Sequence, residues 1–272
     1  MAGCTPMFVQ ALARFLSVAV PVTLIGLACW SPLLAAPRAE SPAPGVSQRS
    51  SEAPPPGSSY SRSAGTVIVG RVLYRGPVPP PTQIEVDQDQ DVCGATISMT
   101  ALSVDAATYG LQNAVVHVAI GAGGVPAGVL AAPPAVVQKK QCRFHPHVGV
   151  AQVGNEVEIH NDDPVMHNTN ITVDKSTTIN VAMMASESPI KKLLTKSGLH
   201  SVTCNVHEFM QAYWMVFDDP YFDRTTEAGQ FRISNLPPGL HMVTVWHETL
   251  GIAQKEVQVP AQGTVSFDLE FK

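Results

Sequence analysis

The sequence has few charged residues and no extended cluster of positive charge. Lysine, arginine, aspartate and glutamate make up only 14% of the 272 residues, and no run of lysine or arginine is longer than two. So little charge excludes a coiled coil or a long-helix protein. The missing basic clusters and the formal net charge of −5 argue against a nucleic-acid-binding surface. Proline (23 residues) and glycine (20 residues) are abundant, which favours short strands joined by turns.

No segment shows a sustained helical period, whereas alternation with a period of two recurs. Val157 and Ile159 alternate with Glu156, Glu158 and His160, which is typical of a half-buried strand. We therefore predict an all-β fold with short strands at sandwich spacing. The predicted strands cover residues 67–74, 111–119, 148–153, 156–160, 199–203, 213–217, 231–233, 242–247, 256–259 and 264–271.

The first 64 residues predict export and a linker. Residues 1–36 contain an apolar run of 14 residues, Phe15–Ala28, which favours a signal peptide; lipidation at Cys29 and an uncleaved membrane anchor are the alternatives. In residues 37–64, half of the positions are proline or serine, which predicts a disordered linker. The expected location is periplasmic or otherwise extracytoplasmic, with a possible membrane tether through the N-terminus.

Three cysteines follow the leader, and an odd number in an oxidising compartment needs an explanation. Cys204 lies in a Cys-x2-His-x2-Met pattern with His207 and Met210, whereas Cys93 and Cys142 have no comparable neighbours. We therefore predict a Cys93–Cys142 disulfide and a free Cys204 thiolate. A bridge from Cys204 to either of the other two cysteines is the alternative.

Residues 142–217 resemble the cupredoxins, and the spacing of the ligand loop is that of amicyanin. The segment 153–163 looks like the cupredoxin strand with its glycine turn, and it leads to His167-Asn168, 37 residues before Cys204. The resemblance implies that His167, Cys204, His207 and Met210 hold one mononuclear copper. It also implies that Asn168 ties the two ligand loops together.

The donor chemistry agrees with this resemblance. A thiolate, two imidazoles and a weak axial thioether are typical of electron-transfer copper sites, whereas zinc prefers a closed tetrahedron of stronger ligands. His147 is a possible extra metal ligand, although a polar surface role is the simpler interpretation. In cupredoxins the histidine of the ligand loop lies near the surface, so we expect His207 to form the electron exit and Phe209 to dock a redox protein partner.

The C-terminal segment carries a second resemblance. Residues 226–239, which end in Pro237-Pro238-Gly239, look like the carboxypeptidase regulatory-like domain, a transthyretin-like sandwich that is usually non-catalytic. Residues 65–72 and 111–118 resemble the first two strands of that family. We therefore predict a smaller β-sandwich made of residues 65–121 and 220–272, split around a Greek-key cupredoxin-like domain of residues 122–219.

Taken as a whole, the sequence predicts an exported type 1 copper protein that acts in electron transfer. We expect no enzyme and no catalytic residues, because a site filled by four protein ligands leaves no open position for a substrate. Two alternatives stay open. The protein could deliver or store copper, or it could be a structural β-sandwich protein with a vestigial metal site.

Overall fold

The computed structural model describes residues 65–120 and 134–272, so the predicted leader and linker lie outside the described residues. The described residues form strands and one short helix, α1 (Gln90–Cys93), and the predicted all-β class is confirmed. No helix among them has the length and apolar character needed to cross a membrane. The first strands of the chain are β1 (Thr66–Tyr74), β2 (Thr82–Glu85), β3 (Thr96–Met99), β4 (Val115–Ala119), β5 (Ala135–Lys140), β6 (Arg143–His145), β7 (Val148–Gln152), β8 (Glu156–Asn161) and β9 (His167–Val173).

The remaining strands continue to the C-terminus. They are β10 (Ser176–Met183), β11 (Ile190–Leu193), β12 (Gly198–Thr203), β13 (Gln211–Phe217), β14 (Phe222–Arg224), β15 (Gln230–Leu236), β16 (Gly239–His247), β17 (Gly251–Val259), β18 (Thr264–Ser266) and β19 (Leu269–Phe271).

Two sheets built from both ends of the described chain share one apolar core, and we call them the first sandwich. One sheet has the order β15-β1-β18, with β19 also paired to β1, and the other has the order β14-β4-β16-β17. Alternate residues of facing strands, such as Ile68, Val116 and Val245, are fully buried in this core. β4 and β14 are antiparallel neighbours, so the chain leaves and re-enters this sandwich at adjacent strands.

The second sandwich is built from the middle of the chain. Its sheets have the orders β10-β9-β12-β13-β7 and β11-β8-β5-β6, and they enclose a separate core that includes Val137, Ile159 and Val202. β12 lies between β9 and β13, and both pairings are antiparallel. This arrangement brings the start of β9 to the same end of the sheet as the loop between β12 and β13.

One segment packs differently from the predicted division of the chain. Residues 65–121 are predicted to belong to the first sandwich, but Val86 and Ile97, which flank α1, are buried in the core of the second. We call Val86–Ile97 the covering segment. It is held by the Cys93–Cys142 disulfide, which confirms the predicted pairing and leaves Cys204 as a buried free cysteine.

Candidate metal centre

Three of the four predicted ligands meet at one end of the second sandwich. Thr203, the last residue of β12, pairs with Asn170 of β9, so Cys204 lies beside the start of β9, where His167 stands. The loop that follows Cys204 is closed by two backbone hydrogen bonds, from the Cys204 amide to the Met210 carbonyl and from the Met210 amide to the His207 carbonyl. This turn directs His207 back toward His167.

The ligand atoms lie close enough to share one ion. The Nδ1 atoms of His167 and His207 are 3.0 Å apart, and the Cys204 sulfur lies 4.0 Å and 3.9 Å from them. A metal ion binds nitrogen at about 2.0 Å and sulfur at about 2.3 Å. Two nitrogen ligands of one ion can therefore be at most about 4.0 Å apart, and a nitrogen and a sulfur ligand at most about 4.3 Å apart. All three distances fall within these limits, so the donor set fits a single metal ion.

The proton positions on both imidazoles favour metal binding. His167 Nε2 lies 2.9 Å from Asp163 Oδ2, and His207 Nε2 lies 3.0 Å from Asp89 Oδ2. A carboxylate can only accept, so each Nε2 carries the hydrogen and donates it, and each Nδ1 keeps its lone pair. Burial lowers the pKa of His167, and the hydrogen bond to Asp163 offsets part of that effect. The two rings therefore present unprotonated nitrogen atoms to the same point.

Met210 and Asn168 lie next to this cluster. Met210 is buried in the core of the second sandwich together with Cys204. The Asn168 side chain accepts a hydrogen bond from the Asn205 backbone amide and donates one to Asn180. Asn168 thus connects the start of β9 to the residue after Cys204, and it holds the two ligand-bearing segments together.

His207 is more enclosed than the sequence predicts. The side chain is 0% exposed, because Asp89 in the covering segment closes its outer edge. His207 is predicted to lie near the surface as the electron exit, and the structure places the partly exposed Asp89 between its outer edge and solvent. Phe209 is half-buried, with its ring centroid 5.7 Å from that of His207, and it borders a cavity of about 190 Å³ that Met210 and Gln211 also line.

His147 does not join the cluster. Its Nε2 lies 2.6 Å from a carboxylate oxygen of Glu248 in the first sandwich, and its Nδ1 lies 3.2 Å from the Gln211 carbonyl oxygen. Within the described ranges, the metal-compatible groups of three ligand atoms are His167, Cys204 and His207, and Cys142, Asp163 and His167. The second group has no free thiolate, because Cys142 is bonded to Cys93.

A buried lysine, Lys139, lies close to the cluster and is not among the residues predicted from the sequence. Its ammonium group donates to Thr169 Oγ1 at 3.1 Å and lies 3.4 Å from the Met183 sulfur, and none of the ion pairs of the described residues includes it. Burial lowers the pKa of Lys139 to about 8, and interactions with Cys204 and Glu187 partly oppose this shift. A positive charge thus lies inside the sandwich near the candidate thiolate ligand.

Asp163 and Asp89 were also missed as functional residues. Asp163 lies four residues before His167, a separation that could have indicated a carboxylate–histidine pair. Asp89 lies 118 residues before His207, and only its position four residues before Cys93 connects it to the site in sequence.

Comparison with protein-family models finds no match, and comparison with curated proteins finds none either. Among solved structures, the chain is similar to a copper-containing nitrite reductase from Thermus scotoductus SA-01 at 23% identity, over 38% of this chain and 25% of that chain, with a TM-score of 0.29. The match thus spans about a quarter of the reductase.

Two smaller proteins are matched over more of their own length. The chain is similar to a reduced amicyanin mutant at 20% identity, over 32% of this chain and 85% of that chain, with a TM-score of 0.28. It is similar to a purple cupredoxin from Nitrosopumilus maritimus at 16% identity, over 30% of this chain and 98% of that chain, with a TM-score of 0.26.

Proposed function

We propose that the protein binds one copper ion through His167, Cys204, His207 and Met210 and that it serves in electron transfer. The observation that carries this proposal is the buried meeting of two imidazole Nδ1 atoms and one free thiolate within 4.8 Å of one another. This set, with a thioether in the same loop, is the His2Cys set with weak axial methionine that suits electron-transfer copper.

Copper bound there would supply a one-electron couple between its two oxidation states. The protein holds the ligands on β9 and on a closed turn between two strands, so little needs to move when the charge changes. Cys204, His167 and His207 are all buried, which keeps water away from the ion. Because four protein ligands fill the site, we propose no enzymatic activity and no catalytic residue.

The burial of the ligands favours retention of copper over its delivery. His167, Cys204 and His207 are nearly fully buried, and the carboxylate on the outer nitrogen of each ring keeps that ring oriented for the ion. We propose that a redox protein partner docks on the Phe209 side of the loop, because the outer edge of His207 is closed by Asp89.

We further propose an extracytoplasmic location, with the N-terminus as a possible membrane tether. The Cys93–Cys142 disulfide supports this, since such bridges persist in oxidising compartments. For the first sandwich we propose a non-catalytic, carboxypeptidase regulatory-like role, supported by the sequence resemblance of residues 226–239.

The visible spectrum of the copper(II)-loaded protein tests the proposal. We expect an intense thiolate-to-copper charge-transfer band, which Cys204→Ser abolishes and Met210→Leu shifts. His147→Ala is the matched control, since His147 does not join the cluster, and it should leave the band unchanged. A colourless wild type that binds zinc with equal stoichiometry would contradict the copper assignment.

Reduction of the loaded protein separates electron transfer from copper delivery. We expect reversible reduction and reoxidation with copper retained. Phe209→Ala should slow electron transfer to a partner while it preserves the spectrum. Release of copper to a modest chelator within one cycle would instead favour the delivery function.

A further inference from the structure

The outer nitrogen of His207 is bonded by a residue from a distant part of the chain. Asp89 precedes α1 in the covering segment, and its carboxylate reaches His207 Nε2 at 3.0 Å. The buried Val86 and Ile97 anchor the two ends of this segment in the core of the second sandwich. The contact is therefore built into the fold, although the Asp89 side chain itself is 37% exposed.

Asp89 does not perform the usual task of an aspartate at its position. It stands at the N-cap of α1, where an aspartate side chain ordinarily accepts a hydrogen bond from a backbone amide of the first turn. Here the side chain makes no capping bond, and the backbone adopts a left-handed conformation with φ of 55°. Aspartate is one of the few non-glycine residues that adopt this conformation readily. Without a capping bond, the carboxylate is free to bond His207.

The disulfide connects Asp89 to the carboxylate that bonds the other ligand. Cys93 ends α1, and its partner Cys142 lies in the turn between β5 and β6. The backbone amides of Gln141 and Cys142 donate to Asp163 at 2.6 Å and 2.8 Å, and Asp163 in turn accepts from His167. One covalent bridge thus joins the two segments that hold the two ligand histidines from outside.

We propose that Asp89, fixed by the Cys93–Cys142 disulfide, is a positioning residue of the metal centre that orients His207 and sets the reduction potential of bound copper. A carboxylate that accepts from the outer N–H of a ligand histidine makes the imidazole a stronger donor. A stronger donor and a nearby negative charge both favour copper(II) over copper(I). Asp89 therefore lowers the reduction potential and closes the outer edge of His207 to water. This inference rests on the proposed copper function.

Two measurements on the full chain test this role. The first is the hydrogen-exchange rate of the His207 Nε2–H, followed by nuclear magnetic resonance of the copper-free, histidine-labelled protein. The second is the reduction potential of the copper-loaded protein. We expect Asp89→Ala to speed the exchange at least tenfold and to raise the potential. Asp89→Asn keeps an acceptor oxygen without the charge, so it should retain slow exchange and give an intermediate potential.

Asp91→Asn is the matched control, because Asp91 is an exposed aspartate of the same helix. It should leave both quantities as in the wild type. Wild-type exchange and wild-type potential in Asp89→Ala would overturn the proposal. Faster exchange at an unchanged potential would mean that Asp89 only shields His207 from water, and it would also overturn the positioning role.

The contribution of the disulfide is tested by the double variant Cys93→Ala with Cys142→Ala. We expect its His207 Nε2–H exchange to approach that of Asp89→Ala, and wild-type exchange would contradict a role for the bridge. The copper-free measurement keeps the two hypotheses apart. If the copper-loaded wild type shows no charge-transfer band, the proposed copper function is contradicted. The exchange data would still report on the contact between Asp89 and His207.

Discussion

The two sandwiches differ in what they bury. In the first, the buried polar residues are Thr66, Thr225, His241 and His247, and no buried lysine or aspartate is found among its described residues. In the second, they are Lys139, Asn161, Asp163, His167, Asn168, Thr169, His200 and His207. Burying ionisable groups is costly unless they are paired or bind a metal. In the second sandwich these buried groups include His167 and His207, which together with Cys204 form a set that could hold a metal ion.

The test with the largest expected effect removes β5–β13, the strands of the second sandwich, and leaves the covering segment in place. Val118 of β4 donates its amide to the Tyr221 carbonyl just before β14, so a short turn can replace residues 122–219. With Cys93→Ser added, because Cys142 is lost, we expect the remaining chain to fold. The measurement is cooperative thermal unfolding with a strand-type circular dichroism spectrum. An unfolded product would show that the first sandwich depends on the second.

A second test compares two aspartates that accept backbone hydrogen bonds. Asp163 in the second sandwich accepts from Gln141 and Cys142, and Asp223 in the first accepts from Arg224 and Arg232. Substitution of either by asparagine should lower the free energy of unfolding by about 1–3 kcal/mol, since an amide donor loses its acceptor.

Only Asp163 also bonds a ligand histidine. Asp163→Asn should therefore weaken copper binding about 10- to 100-fold, whereas Asp223→Asn should leave copper binding unchanged. Copper competition titrations measure the difference. Equal copper affinities in the two variants would mean that Asp163 supports the fold and not the centre.

The buried Lys139 of the second sandwich should make the stability of the copper-free protein depend on pH. Its pKa is lowered to about 8 in the folded protein from an ordinary value of 10.5. The unfolded state therefore binds more protons between these values, and the stability of the copper-free protein should rise with pH from about 8 to 10.5. Below pH 8 the lowered pKa of Lys139 decreases the free energy of unfolding by on the order of 3 kcal/mol, since one pKa unit corresponds to about 1.4 kcal/mol.

Lys139→Met should abolish this rise and stabilise the copper-free protein at neutral pH. The measurement is the denaturation midpoint in urea at pH 7 and pH 10. Lys192→Met, at an exposed position of β11, is the control and should leave the slope intact. An unchanged pH slope in Lys139→Met would contradict the interpretation of a costly buried charge.

The smallest effect concerns a pair that joins the two sandwiches. Burial lowers the pKa of His147, but the hydrogen bond to Glu248 and its negative charge together raise the pKa by more than burial lowers it. The net shift of the pKa is therefore upward from 6.5. The stabilisation from this pair is fully present below pH 6.5 and is lost as the pH rises through the raised pKa. Glu248→Gln should remove this pH dependence, at a cost of less than about 1 kcal/mol. Thermal unfolding at pH 5.5 and pH 8 tests it.

The sequence predicted the all-β class and the disulfide because both depend on local pattern or on the count of cysteines. Other features depend on contacts that no local pattern shows. The strand predicted over 264–271 is interrupted between β18 and β19, where the Asp268 carboxylate accepts a hydrogen bond from the Arg71 amide. β10 was missed because its outward residues are mostly polar and small.

In the candidate centre, too, the features that depend on local sequence pattern were predictable and those that depend on long-range contacts were not. The spacing from Cys204 to Met210 indicated a common turn, and His167 followed from the resemblance to cupredoxins. The enclosure of His207 was not predictable, since Asp89 reaches it through a long-range contact. Lys139 lies on β5, a strand that was not predicted from the sequence, and no local pattern indicates that a lysine there is buried against Thr169.

The central claim is that one copper ion is held by Cys204 and the two histidines in the second sandwich. X-ray absorption at the copper edge of the copper(II)-loaded full chain tests it most directly. The account predicts one short copper–sulfur bond and two imidazole nitrogen ligands per protein, with the sulfur signal lost in Cys204→Ser. A copper environment of nitrogen and oxygen alone in the wild type, unchanged by that substitution, would contradict it.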